Sequence, residues 1–143
     1  MNYAEQEAER SLCFRPESRF GAIAVKDGKI IATGYNGAVA GIRPCAERGF
    51  CVRKKRGVQS GTRREIAYCI CAEQRMICNA ARNGVNLDGA DVYVTGISCS
   101  YCVRLMTECG VKRVFQKDAA RIYMNSFTKE IADEAGLELI IVD

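Results

Sequence analysis

No histidine and no tryptophan occur among the 143 residues of this chain, and proline occurs only twice. The missing histidine removes the commonest metal ligand and the commonest general base at neutral pH. Any bound metal must then sit on sulfur or oxygen, and proton transfer falls to a carboxylate with a raised pKa or to a metal-bound water. A long apolar run is missing too. The first residues, MNYAEQEAERSLC, are polar, so neither a membrane span nor a secretory leader is read there, and a soluble cytoplasmic protein with no membrane partner is expected. The length suits a single domain over 1–143 with a real core and is too short for two. Charge of one sign is also scarce: the net charge is only +4. It concentrates in Arg53-Lys54-Lys55-Arg56 and Arg63-Arg64, which reads either as a solvated loop or as a complement to an anionic small molecule or nucleic acid.

Cysteine is what the chain has in excess. Nine cysteines is an odd number, so internal disulfides cannot use all of them. In a reducing compartment thiols persist as metal ligands, catalytic groups or small buried apolar residues, and metal binding is the leading explanation.

Composition favours a helix over 4–12. Two strands, 20–25 and 29–35, flank the turn at Asp27-Gly28. Residues 36–70 are rich in Gly, Arg and Cys without periodicity and read as a long irregular insertion, functional or tied down by something such as a metal. Helical spacing returns over 71–83 at Ala72, Met76, Ile77, Ala80 and Ala81, with Gly84 as C-cap. A strand follows at 91–95, a helix at 99–109 stopped by Gly110, a strand at 111–115, a helix at 122–134 and a last strand at 137–142. Strands alternating with helices make an α/β domain with helices packed on a sheet.

Two clusters carry the chemistry, Cys71-Ala72-Glu73 and Cys99-Ser100-Tyr101-Cys102, and each opens a predicted helix. Exposed N–H groups and the helix dipole stabilise thiolates there, so the two helix ends can converge on one cation. Cys71, Cys99 and Cys102 as three thiolate ligands leave a fourth tetrahedral position open, the pattern of a catalytic zinc. Zinc acidifies the water it binds, and Glu73, two residues from a ligand, suits the role of moving the protons. Three such ligands, a non-ligand Glu and a downstream C-x-x-C are the pattern of zinc deaminases, which attack the carbon bearing an exocyclic amine and release ammonia. Alone, the C-x-x-C also fits a redox pair or half of a zinc ribbon. The upstream Cys-Ala-Glu is not explained by a redox motif. Cys78 and Cys109 fall on apolar helical faces and read as core.

The chain resembles the cytidine and deoxycytidylate deaminase superfamily, most closely its deoxycytidylate branch, from about Cys13 to Phe115. The resemblance rests on Gly21-Ala22-Ile23-Ala24-Val25 with Lys26-Asp27-Gly28, on Thr33-Gly34-Tyr35-Asn36-Gly37, on Cys71-Ala72-Glu73-Gln74, on 89–95 and on the Cys99/Cys102 pair. It implies a three-layer α/β/α fold around a mixed five-stranded sheet, assembly into homo-oligomers, and a nucleotide substrate rather than nucleic acid. It implies hydrolytic deamination of a cytosine nucleotide, dCMP to dUMP. A free nucleoside or another amino-heterocycle is one alternative, and a non-catalytic zinc module binding nucleic acid through its basic insertion is another. Asn36 and Tyr101 are candidates to touch the substrate, and Arg53, Lys54, Lys55 or Arg63 to touch its phosphate. Related deoxycytidylate deaminases carry a second, structural zinc, and Cys13, Cys45, Cys51 and Cys69 are the candidate ligands here.

The sequence departs from the branch at three places. Cys71 stands where its members commonly have His, Ser98 where they have Pro, and Arg75 where many have Asn. Three thiolates make the metal's water less acidic, so a nearby positive charge is expected to offset them. Arg75, on the same helix, is the candidate to reach a ligand sulfur.

Overall fold

The computed structural model describes residues 1–59, 62–117 and 126–142. Helix α1 (Asn2–Glu9) precedes strands β1 (Gly21–Lys26), β2 (Lys29–Tyr35) and β3 (Gly37–Ala38), then the short helices α2 (Cys45–Arg48) and α3 (Val52–Lys55). Strand β4 (Cys69–Ile70) leads into α4 (Ala72–Arg82), after which strand and helix alternate: β5 (Asp91–Val94), α5 (Ser100–Glu108), β6 (Arg113–Lys117), α6 (Ser126–Ala135) and β7 (Glu138–Val142).

Asp27 and Gly28 both have positive φ, 51° and 72°, the conformation a two-residue hairpin turn requires, and they fold β1 back against β2. The main sheet runs β2-β1-β5-β6-β7. Its β2-β1-β5 half is antiparallel and its β5-β6-β7 half parallel, so it is mixed and five-stranded. β1 is buried over Gly21–Ala24 because helices cover it on both sides.

The two glycines show how closely those helices approach. A Cβ on Gly21 would lie 2.0 Å from the Ala4 carbonyl oxygen in α1, and one on Gly34 would lie 2.4 Å from both the Ala72 oxygen and the Met76 nitrogen in α4. Gly21 pairs with Tyr35 and Ala22 with Gly34, so the two glycines face opposite sides of the sheet. α1 therefore lies on one face and α4 on the other, which gives the three-layer α/β/α arrangement. α5 packs on α4 and α6, and α6 on β7. Val92, Val94 and Val114 turn into the core with Met76 and Met106, while Tyr93 stacks on Phe115 at 4.7 Å on the opposite face. Asn79 donates to the Thr33 carbonyl at 2.9 Å and ties α4 to β2.

The irregular reading of 36–70 is corrected in part. The insertion is closed at its base by a two-residue antiparallel ladder, Gly37 against Ile70 and Ala38 against Cys69, and holds two helices of four residues each. Elements this short leave no periodicity to read. Cys78 is a further correction: it is exposed, because it lies about 200° around α4 from buried Met76 at 100° per residue. Cys109 is half-buried against the core. The start of the helix expected over 122–134 falls outside the described residues, as far as 125. Among the described residues no helix is long and apolar enough to cross a membrane.

Candidate metal centre and active site

Cys71 is the N-cap of α4, with extended backbone (φ −70°, ψ 159°). Its N–H donates to Gln74 Oε1 at 2.9 Å while its sulfur faces the Gln74 N–H, a capping box with sulfur in the place of a hydroxyl. Cys99 N-caps α5, and Cys102 lies one turn further on. The sulfurs of Cys71, Cys99 and Cys102 all lie within 4.8 Å of one another, with 3.5 Å between those of Cys99 and Cys102. Cys99 and Cys102 are buried and Cys71 partly so.

Three thiols packed this closely cannot all ionise in the absence of a cation. The hydrogen bonds from Cys102, then Cys71, hold the Cys99 thiol down at about 2, with Arg64 helping. Cys102, donating to Cys71 and Cys99 and buried, is pushed up. A soft divalent cation with tetrahedral preference would remove this frustration, and three sulfurs match the donor set of a catalytic zinc.

Glu73, the second residue of α4, is 5% exposed. Burial raises its carboxyl pKa first, and the Cys99 charge adds to that, while its own backbone N–H and the Arg64 charge pull the other way. A raised carboxyl pKa is the direction a general acid and base needs. Ser98 is fully buried, and its N–H donates to Gln116 Oε1 at 3.0 Å. Buried Gln116 on β6 thus fixes the segment entering Cys99.

The charge beside the sulfurs does not come from Arg75. The Arg75 guanidinium donates instead to the carbonyls of Gly37 (3.2 Å) and Ala38 (2.8 Å) and sits 4.5 Å over the Tyr35 ring. Both carbonyls belong to β3, which the Arg75 side chain reaches from α4. Arg64, in a single 3₁₀ turn of the insertion, donates to Cys71 Sγ at 3.1 Å. Burial works against the Arg64 charge, yet Cys71, Cys99, Cys102 and Glu73 more than offset it and hold its pKa above the usual value.

The other candidates are dispersed. Asn36 Oδ1 accepts from Ser11 Oγ and from the Phe20 N–H, both at 2.8 Å, and its Nδ2 donates to the Ser18 carbonyl at 2.7 Å. That leaves one amide hydrogen uncommitted. Tyr101, 52% exposed, stands on the first turn of α5 between Cys99 and Cys102 with Arg104 over its ring. Arg53 on α3 donates to the Thr62 carbonyl at 2.8 Å, and exposed Arg63 pairs with Glu65. Lys54 and Lys55 are exposed on α3, Lys55 over the Phe50 ring.

Cys13, Cys45, Cys51 and Cys69 are not brought together as Cys71, Cys99 and Cys102 are: among the described residues they form no group of three or more ligand atoms within 4.8 Å of one another, although Cys45, Cys13 and Cys51 all bear on Cys69. Burial, then the charge and hydrogen bond of Cys45, then the charges of Cys13 and Cys51, push Cys69 up to about 12. The Ala46 N–H donates to the Leu12 carbonyl at 3.0 Å and brings the start of α2 beside Cys13. Among the described residues, Cys71, Cys99 and Cys102 form the group of three or more candidate ligands within 4.8 Å of one another.

Sequence reasoning missed Arg64, Gln74 as a cap and Gln116. The x-x-Gln spacing after Cys71 was the available signal for Gln74. Arg64 was hidden among neighbouring basic residues, and a buried strand glutamine leaves no local trace.

The family model of the cytidine and deoxycytidylate deaminase zinc-binding region matches residues 1–117. ComE operon protein 2 of Bacillus subtilis is 32% identical over 130 residues, covering 91% of this chain and 62% of that protein. The deoxycytidylate deaminase of Schizosaccharomyces pombe is 31% identical over 139 residues, 97% of this chain and 41% of that protein. The chain thus spans less than two thirds of the length of both relatives. The deoxycytidylate deaminase of Mycobacterium phage D29 is 35% identical over 121 residues, 80% of this chain and 88% of that one. Among solved structures, dCMP deaminase from the cyanophage S-TIM5 in complex with dCMP and dUMP superposes with a TM-score of 0.78 at 25% identity, covering 99% of this chain and 92% of that one.

Proposed function

The chain belongs to the cytidine and deoxycytidylate deaminase family, and from that premise we propose that it is a zinc-dependent hydrolase converting dCMP and water to dUMP and ammonia. The observation that carries the reading is the convergence of two helix N-termini, which places three sulfurs within 4.8 Å of one another beside a buried carboxyl. A zinc ion held by Cys71, Cys99 and Cys102 supplies a Lewis acid that brings the ionisation of water toward neutral pH.

The protein's own groups do the rest. Hydrolytic deamination forms a bond from the water oxygen to C4 of the cytosine ring and breaks the bond from C4 to the exocyclic nitrogen. Glu73 takes one proton from the attacking water and delivers it to the ring nitrogen next to C4, then takes the second from the oxygen now bonded to C4 and gives it to the exocyclic amine, which leaves as ammonia while the C4 carbonyl forms. Burial, the largest influence, favours its neutral form, and its own backbone N–H and the Arg64 charge favour the charged one. Gln116 holds Ser98, and the Gln74 cap holds Cys71, so the ligand positions are fixed before substrate arrives.

The monophosphate is favoured over the nucleoside by the basic insertion, where Arg53, Lys54, Lys55 and Arg63 are the phosphate candidates, and by the dCMP/dUMP complex of the cyanophage relative. We assign Asn36 and Tyr101 to the sugar and base side, and a second, structural zinc to Cys13, Cys45, Cys51 and Cys69. Such a zinc would order an insertion that has little apolar content of its own. None of the nine cysteines is in a disulfide, which fits a reducing cytoplasm. Homo-oligomeric assembly follows from the family resemblance.

The test is the ratio of kcat/KM for dCMP to that for deoxycytidine with purified zinc-loaded protein. A ratio well above tenfold is expected, and a ratio near or below one rejects the nucleotide assignment. Metal analysis should find about two zinc ions per chain; one rejects the second site.

A further inference from the structure

We propose that Arg64 is the positioning residue of this metal centre: reaching in from the insertion, it donates to Cys71 Sγ at 3.1 Å and supplies the positive charge that an all-thiolate ligand set lacks. The inference rests on the zinc reading above and deepens it.

A divalent ion set against three thiolates leaves one net negative charge, and Glu73 when ionised adds another. Cys99, Cys102 and Glu73 are each less than a tenth exposed, so that charge is largely withdrawn from water. A buried excess of one sign is costly unless a partner is buried with it. Arg64 is hydrogen-bonded directly to a ligand sulfur. Arg75 is occupied elsewhere, on the Gly37 and Ala38 carbonyls. α4 thus provides the ligand and the proton carrier while the insertion provides the counter-charge.

Arg63, immediately before it, has a positive φ of 46°, a conformation a non-glycine residue adopts at a cost. The backbone is turned there at the point where Arg64 leaves the surface for the sulfurs.

The experiment uses zinc-loaded full-length protein and the variants Arg64→Gln, Arg64→Lys and Arg75→Gln. Zinc transfer to an excess of a chromophoric chelator is followed without substrate, and kcat and KM for dCMP are measured separately. Arg64→Gln should release zinc at least tenfold faster than wild type and lower kcat with KM within about twofold. Arg64→Lys keeps the charge but not the planar fork and should fall between the two, while Arg75→Gln should release zinc at the wild-type rate. Release by a folded Arg64→Gln within twofold of wild type overturns the proposal. So does a raised KM with unchanged zinc release, which would make Arg64 a substrate contact. If Arg64→Gln does not fold, Arg64→Lys decides: release faster than from both wild type and Arg75→Gln supports the proposal, and release from Arg64→Lys at the wild-type rate overturns it. Zinc release is read without turnover, so a wild-type protein that holds zinc but leaves dCMP intact would refute the substrate reading and not this one.

Discussion

Replacing Gly34 with alanine should damage stability and catalysis together, because this glycine is where α4 rests on the sheet. The added Cβ would lie 2.4 Å from the Ala72 oxygen and 2.4 Å from the Met76 nitrogen, both backbone atoms that cannot swing aside. Restoring ordinary contact needs α4 to move by about 1 Å, and overpacking of this kind costs about 1–3 kcal/mol. With an unfolding entropy of about 2.1 cal/mol/K per residue, that is a fall in Tm of about 3–10 °C for a chain of this size. α4 begins at its N-cap Cys71 and carries Glu73, so the same shift moves a ligand and the proton carrier. A displacement of about 1 Å at a reacting centre costs about 100-fold in rate. Gly21→Ala is the matched control: its Cβ would come 2.0 Å from the Ala4 oxygen, so Tm should fall at least as far. α1, however, carries none of the candidate site residues, and kcat of the folded protein should stay within about threefold of wild type, far from the 100-fold class. Differential scanning calorimetry and steady-state dCMP turnover measure both. The reasoning is refuted if Gly34→Ala keeps Tm within 2 °C, or if the two variants lose kcat equally.

Glu73→Gln should lower kcat by about 100- to 10,000-fold, the range of a positioned acid–base group, while zinc content is unchanged; a loss under tenfold would take the proton-carrier role away from Glu73. A pH effect is expected at the edge of the fold. The hydrogen bond from Lys117 Nζ, 2.6 Å long, and then the Lys117 charge hold the Glu5 carboxyl below its usual value. Its folded pKa lies below the unfolded one, so the pair's contribution is complete above the unfolded value and disappears as pH falls through the folded one. Wild type should therefore melt slightly above Glu5→Gln at pH 6 and together with it in strong acid. A gap that widens on acidification contradicts the assignment.

The parts of the fold legible in the sequence were those with enough length to repeat. The β1–β2 hairpin announces itself through Asp27-Gly28, and α4 and α5 through apolar spacing closed by Gly84 and Gly110, which both adopt positive φ. Cys71, Cys99 and Cys102 are separated by up to 31 positions, yet each lies at or within one turn of a helix start, and that shared feature is what joins them. Arg75 looked suited to a ligand sulfur because it shares α4 with Cys71. What sequence cannot supply is the competing partner: the β3 carbonyls that bind Arg75 come from a two-residue strand with no pattern of its own. Arg64 was illegible for the same reason, since only the folding of the insertion brings it to Cys71. Cys78 illustrates the limit of an apolar window, where a short side chain on the outer face of α4 resembles a core residue until the helix is oriented.

The most direct test of the central claim is product analysis of dCMP incubated in oxygen-18 water with the zinc-loaded protein. One ammonia should form per dUMP, the C4 oxygen of the product should come from solvent, and both signals should vanish in Glu73→Gln that still holds its zinc. A folded, zinc-bound wild-type protein that releases no ammonia from dCMP, or a Glu73→Gln variant that releases it at the wild-type rate, would contradict hydrolytic deamination at this centre.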